Sequence, residues 1–404
     1  MTIDVCIRGA GIVGKALALL LARQRLRVGL VQGPIRAEPD IRAFALNAAS
    51  KALLESLRAW PVSDLANGTA RVAIHDTPGA NAHHTPSDTT GCCPVQHMRV
   101  HGDDGGMVQF DAPSRGATRS DSTENSALAW IVDAAALDAR LTAALGFAPE
   151  VQWLPEAQNC PLTVVCEGKM SATRAAFGVE FEQFAYQQTA IAAHIDTELP
   201  HQHTAWQWMG GQGEVCALLP RGASMPGNSV ALVWSVSDVH AAQLQLLDPA
   251  AFTAALQAAS GNTLGTMRLT SPIATWPLHI AQAMRWVGTT DHNAGWALAG
   301  DAAHSVHPLA GQGLNLGLAD VSELARVLAG KEYFRSLGDM RLLRRYERAR
   351  KGDAGALRLA TDGLHSLFAA DDARLRLLRN WGMSGFERLA PLKAAVMHRA
   401  MGLA

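Results

Sequence analysis

The first thirty residues alternate between short apolar runs and a glycine turn. Ile3 to Ile7 is β-prone, Gly9-Ala10-Gly11-Ile12-Val13-Gly14 is a turn, Lys15 to Gln24 is rich in Ala and Leu, and Arg27 to Val31 is apolar again. That order predicts strand, turn, helix and strand, a βαβ unit of about 30 residues. Residues 43–60 carry apolar positions at helical spacing and stop at Pro61, which predicts one helix. From about residue 71 the texture changes. Val95 to Val100 and Met107 to Ala112 predict two strands around the turn Gly102-Asp103-Asp104-Gly105-Gly106. Residues 113–126 are polar enough for a mobile loop.

A helix over 133–145 and an apolar run at 162–166 return to the α/β texture. Residues 186–196, 214–219 and 229–236 then predict antiparallel strands, one face on a core and the other offered to a ligand. Strand character recurs at Trp296 to Ala299, followed by Gly300-Asp301 and a helix over 313–328. Beyond 340 the pattern is helical, with breaks near Gly382 and Pro391, and no internal repeat is visible. The α/β elements are scattered and the β-rich ones lie between them, so discontinuous domains are expected.

A chain of 404 residues suits two or three packed units. Its 35 Lys+Arg against 36 Asp+Glu leave no field to collect nucleic acid, so a neutral or small ligand is the expected partner. Asp4, Arg8 and Lys15 interrupt the opening apolar run, and no later run reaches the roughly 18 apolar residues of a spanning helix. A soluble, cytoplasmic protein is therefore expected. Cys6, Cys92, Cys93, Cys160, Cys166 and Cys216 follow no C-x-x-C spacing, so no disulfide framework is expected. His83, His84, Cys92, Cys93 and His97 gather in an irregular polar stretch, unlike the paired close ligands of structural zinc, and no metal site is expected.

Two motifs carry chemistry. Gly9-x-Gly11-x-x-Gly14 sits in a strand-turn-helix setting, where glycines let a pyrophosphate approach the N–H groups of a helix N-terminus. The alternative is a close helix-strand crossing without ligand. Gln32 stands where an acid would hold a ribose; a neutral amide still accepts a hydrogen bond but forfeits about 1 kcal/mol. The second motif runs from Gly300 to Asp320. Asp301, straight after a strand, can accept from sugar-chain hydroxyls, Pro308 with Gly311 and Gly313 lets backbone reach a flat ring, and the following helix aims its dipole at that ring. His304 and His307 read as a core or capping pair rather than as bases.

The stretch Gly300 to Asp320, and within it HPLAGQGLNLGLAD, resembles the signature of the ubiquinone-biosynthesis FAD monooxygenases, the UbiH family, within the group related to p-hydroxybenzoate hydroxylase. Asp40-Ile41-Arg42-Ala43-Phe44-Ala45-Leu46 is similar to the family's segment beside the flavin. Residues 186–190, 200–206, 218–220, 232–235, 276–278 and 374–403 resemble it too, so the likeness runs nearly the whole length. There are three departures. Gln32 is one, Cys166-Glu167-Gly168 in place of the family's Asp-Gly is the second, and Lys15 at an apolar position of the first helix is the third.

The resemblance implies an α/β fold: a Rossmann-like FAD-binding domain (1–75, 128–180 and 285–330) interleaved with a mainly antiparallel substrate sheet (76–127 and 181–284), plus a C-terminal helical region (331–404). It implies FAD as cofactor, NAD(P)H as transient reductant, and hydroxylation of a polyprenylated phenol or quinone precursor with O2 through a flavin 4a-hydroperoxide. The cofactor contacts it implies are Gly9, Gly11, Gly14, Gln32, Arg42, Glu167, Asp301, Pro308, Gly311, Gln312, Gly313 and Asn315. Gln188, His203, Leu218 and Trp234 are expected on the substrate face, with core packing as the alternative, and no residue is assigned a catalytic role. A hydroxylase of another aromatic compound and a non-catalytic subunit of a quinone-synthesis assembly remain alternatives. Residues 341–404 hold 13 Lys+Arg against 6 Asp+Glu, with Arg374, Arg376 and Arg379 among leucines. That pattern suits an amphipathic surface that meets anionic lipid or a partner protein at the inner membrane face, or a helix packed on the FAD domain.

Overall fold

A computed structural model describes residues 2–33, 40–61, 91–103, 105–112, 127–222, 227–305 and 312–369, with side chains up to residue 355 except those of Gln212 and Gln312. His83, His84, His307, Pro308, Gly311, the loop 113–126 and the tail from 370 lie outside the described residues.

The first sheet has β1 (Val5–Arg8), β2 (Val28–Val31), β8 (Val151–Leu154), β9 (Leu162–Val165), β16 (Val287–Thr289) and β17 (Gly295–Leu298) in the order β16-β17-β9-β1-β2-β8. All neighbours are parallel except β16 with β17. A parallel sheet must be covered on both faces. Its cover is α1 (Ile12–Arg23), α3 (Ala134–Leu145), α7 (Gln312–Ala329) and α8 (Met340–Ala369), which share one apolar core with it. Leu342, Leu343 and Tyr346 of α8 are fully buried in that core, so the start of the C-terminal helical region is built into the first domain.

A small sheet, β3 (Ala43–Leu46), β7 (Ala129–Asp133) and β4 (Cys92–Val95) in that order, flanks the first. Residues 43–60 are thus not one helix. Residues 43–46 pair with β7, and Asn47 starts the shorter α2 (Ala48–Ser56) by accepting the Ser50 N–H on its side chain. Local helical spacing loses there to a tertiary pairing. Val95–Val100 is not one strand either: the chain leaves the small sheet after Val95 and joins the large one as β5 (His97–His101), with β6 (Met107–Asp111) closing the expected hairpin.

The large sheet runs β18 (His304–Ser305), β15 (Ala274–Ala283), β10 (Phe181–Thr197), β13 (Ser229–Ser237), β12 (Val215–Pro220), β11 (Thr204–Met209), β5, β6, with β14 (Met267–Leu269) beside β10. It is antiparallel except where β11 meets β5. Side chains alternate between its faces. Ile191, Ile195, Leu218, Leu232, Trp234 and Val236 form a core with α5 (Asp238–Gln245) and α6 (Pro249–Ala259). The opposite face, with Ala190, Ala192, His194, Ala231 and Ser235, turns toward the small sheet, where His194 Nε2 lies 2.8 Å from the Ile41 carbonyl. The short α4 (Ala172–Ala176) completes the helices of the described residues. None of those helices is long and apolar enough to cross a membrane, and all six cysteines are free thiols.

The helix-covered face predicts a stability effect separate from the cofactor. Phe252 of α6 is fully buried there, and Phe252→Ala is expected to cost about 3–5 kcal/mol in chemical denaturation while FAD affinity stays unchanged. A loss under about 1 kcal/mol would show that α6 does not seal this face.

Candidate cofactor and substrate site

The glycines of the first turn divide the work. Gly9 has φ +105, and a Cβ there would sit 2.5 Å from the Cys166 carbonyl oxygen. A Cβ on Gly14 would meet the Gly9 carbonyl. Close packing excludes a side chain at both positions. At Gly11 a Cβ would meet nothing within 4 Å, so the middle of the turn opens outward. No side chain caps α1, which leaves its first N–H groups free for an anion. Gln32 is exposed just past the end of β2, beside this opening.

The second turn, residues 300–302, is held from three sides. The Gly300 N–H donates to Asp320 Oδ2 at 2.9 Å, Arg174 Nη1 donates to the Ala302 carbonyl at 3.1 Å, and the Tyr346 hydroxyl donates to the Leu298 carbonyl at 2.7 Å. Asp320 is fully buried and also accepts from His304 Nε2 at 2.7 Å and Arg350 Nε at 2.8 Å. Burial works to raise its pKa, but His304 and then Arg350 outweigh that and hold the carboxyl below its ordinary value. An ionised carboxylate only accepts, so the His304 imidazole carries its proton on Nε2. Trp286 stacks on that ring at 4.8 Å.

Arg42 stands before β3 with Nη2 2.6 Å from Asp40 Oδ2. Burial opposes its charge, yet Asp40, with Asp301 behind it, more than offsets this and raises its pKa. Asn315 ties α7 to the stretch after Arg42: its Oδ1 accepts from the Asn47 N–H and the Ser50 hydroxyl, and its Nδ2 donates to the Ala45 carbonyl. Gly313, at the start of α7, has open space where a Cβ would be.

Residues 2–358 match the FAD binding domain family. The chain belongs to that family. It is 30% identical to the ubiquinone hydroxylase UbiL of Rhodospirillum rubrum over 99% of this chain and 89% of that protein. It is 27% identical to the 3-demethoxyubiquinol 3-hydroxylase of Escherichia coli, over 99% and 98% respectively. Among solved structures, PqsL of Pseudomonas aeruginosa, a probable FAD-dependent monooxygenase, has a TM-score of 0.68 at 22% identity, covering 95% of this chain and all of that one. The p-nitrophenol 4-monooxygenase PnpA of Pseudomonas putida reaches 0.70 at 15% identity, covering 99% and 98%. These two likenesses are of fold. This FAD-dependent monooxygenase carries residues that fit its cofactor: an open Gly11 above an uncapped helix start, an open Gly313 at a second helix start, and Asp301 with no hydrogen bond among the described residues.

Several expected contacts are placed differently. The Glu167 carboxylate accepts from Arg8 Nε, the Ser171 hydroxyl, the Thr173 N–H and the Thr173 hydroxyl at 2.6–3.1 Å. Burial works against its ionisation, and the Thr173 and Ser171 bonds outweigh that and lower its pKa. Those bonds tie the chain after β9 to the end of β1 and to the start of α4. The Asn315 side chain likewise bonds to the protein. Leu218 and Trp234 are corrected: the strand alternation points them into the core under α5 and α6, away from the cofactor domain. Gln188 is buried and donates to the Gly213 carbonyl. His203 lies in the loop before β11 with Nδ1 3.2 Å from the Pro94 carbonyl of β4. Only the backbone of Gln312 is described.

The motif reading assigns no role to Arg174 or Asp320, which lie within the stretches it uses, and does not single out Tyr346, Arg350 or His194, whose partners are distant in the chain. Beside His194 the structure has an open polar cleft of about 610 Å³, which Arg221, Ser229 and Arg268 also line.

Because Gly11 combines an ordinary φ with open space, Gly11→Val is expected to abolish FAD binding while the apoprotein keeps its circular dichroism. Full flavin occupancy in that variant would remove the turn from the cofactor site.

Proposed function

We propose that this monooxygenase hydroxylates the ring of a ubiquinone precursor, a polyprenylated phenol or quinone, with O2 and a transiently bound NAD(P)H. The observation that carries this reading is the likeness to a ubiquinone hydroxylase over 99% of the chain. Bound FAD supplies the redox and oxygen chemistry. The chain's own residues bind, orient and exclude water. Gly9, Gly11, Gly14 and Gln32 hold the adenosine and pyrophosphate half. Arg42, Asp301 and the backbone around Gln312 and Gly313 hold the ring half. On this reading the cofactor and substrate domains are interleaved along the chain as the resemblance implies, and the protein works at the inner membrane face, where a prenylated ring is dissolved.

The test is turnover with isotope-labelled dioxygen, NADH or NADPH, and a prenylated phenol in detergent, read by mass spectrometry. One labelled oxygen atom in the ring is the expected product. A protein that keeps its flavin but labels only unprenylated phenols would replace the substrate, and a chain that binds no flavin would be the accessory subunit.

A further inference from the structure

Helix α8 has two opposed faces. Leu342, Leu343, Tyr346 and Arg350 are buried on the first domain. Arg341, Arg344, Arg345 and Arg348 are exposed, and their i, i+3, i+4, i+7 spacing puts them in one stripe on the other side. None of these four guanidinium groups is in an ion pair among the described residues. Nearby acids are engaged elsewhere: Glu332 and Asp339 pair with Arg335, and Glu347 pairs with Lys351.

The loop leading into α8 presents Tyr333 and Phe334, which are 94% and 68% exposed and set edge to face at 5.5 Å. Being in contact, the two rings form one contiguous exposed apolar patch rather than two scattered side chains. Hydrogen bonds hold this loop against the start of the stripe: Arg335 pairs with both Glu332 and Asp339, and Asp339 Oδ1 accepts the Arg341 N–H at 2.7 Å. The Arg335 guanidinium sits 5.2 Å from the Phe334 ring centroid.

We propose that Arg341, Arg344, Arg345 and Arg348, with Tyr333 and Phe334 beside them, form the surface that docks this protein on an anionic lipid bilayer. Exposed cations in a row complement a sheet of lipid phosphates, and two exposed rings suit the headgroup boundary, where amphipathic aromatics settle. A soluble polyanion would use the charge but not the rings. A neutral protein partner would use the rings but leave the cations unpaired. The inference rests on the reading of a membrane-dissolved substrate, and it assigns the docking to the first half of α8 and the loop before it, upstream of the basic tail.

The test is co-sedimentation of the flavin-loaded full chain with phosphatidylcholine vesicles, with and without phosphatidylglycerol. Pelleting is expected only with the anionic lipid and is expected to fade as salt shortens the Debye length to about 8 Å and below. Replacing the four arginines by Gln is expected to weaken binding at least about tenfold, since each contributes about fivefold near such a surface. Tyr333→Ser with Phe334→Ser is expected to leave weak, wholly salt-sensitive binding. Each variant's flavin spectrum reports that it is folded. Absence of pelleting by the parent protein, unchanged pelleting of the arginine variant, or loss only when Arg374, Arg376 and Arg379 are neutralised would overturn the assignment. So would an arginine-dependent dimer that forms without vesicles. Binding is read without substrate, so a failure here leaves the hydroxylase reading standing, and an inactive protein that still pellets fails only the latter.

Discussion

The buried carboxylate of Asp320 is the constraint on which the cofactor site depends. It accepts from the Gly300 N–H, His304 and Arg350, and so links the turn after β17 to α7, α8 and the strand β18 of the large sheet. A charge taken out of water is tolerated only when its hydrogen bonds are complete, and removing one partner of a buried pair costs about 3–5 kcal/mol. Gly300, at φ +61, adopts a backbone that other residues rarely take, and Gly317 of α7 has room only because it lacks a Cβ that would press on Val13 of α1. The glycine turn over 9–14 and the turn over 300–302 are therefore packed against each other through Val13.

The scaffold was legible where the sequence signal was local. Strand, glycine turn and helix at the N-terminus, the 300–320 motif, the hairpin after His97 and the strands near 190, 216 and 232 all follow from periodicity and turn residues. Residues 43–60 were not, because apolar residues at helical spacing also satisfy a short strand once β7 lies beside them. The faces of the large sheet were not legible either. Both are apolar, so nothing in the run Val230 to Val236 told which side α5 and α6 would cover, and Leu218 and Trp234 went to the wrong one.

The three departures from the family pattern have separate physical outcomes. Lys15 is buried, yet its Nζ donates to Asp138 Oδ1 at 2.7 Å and Thr142 Oγ1 at 2.8 Å, so α1 gains a polar tie to α3 rather than an unpaired charge. Glu167 is absorbed into the junction of β9 and α4. Gln32 alone is exposed and has no hydrogen bond among the described residues, which makes it the departure that can act on a ligand directly. Motif comparison weighs these positions alike; their surroundings do not.

If Asp320 frames the cofactor site, changing its charge must reach FAD without unfolding the chain. FAD titrated into Asp320→Asn apoprotein, followed by flavin fluorescence with circular dichroism as the check on folding, measures this directly. Asn still accepts from Gly300 but leaves Arg350 unbalanced. The account predicts FAD affinity weakened by at least about tenfold, or about 1.4 kcal/mol, in a protein of native dichroism. Parent-like affinity in that folded variant would contradict it.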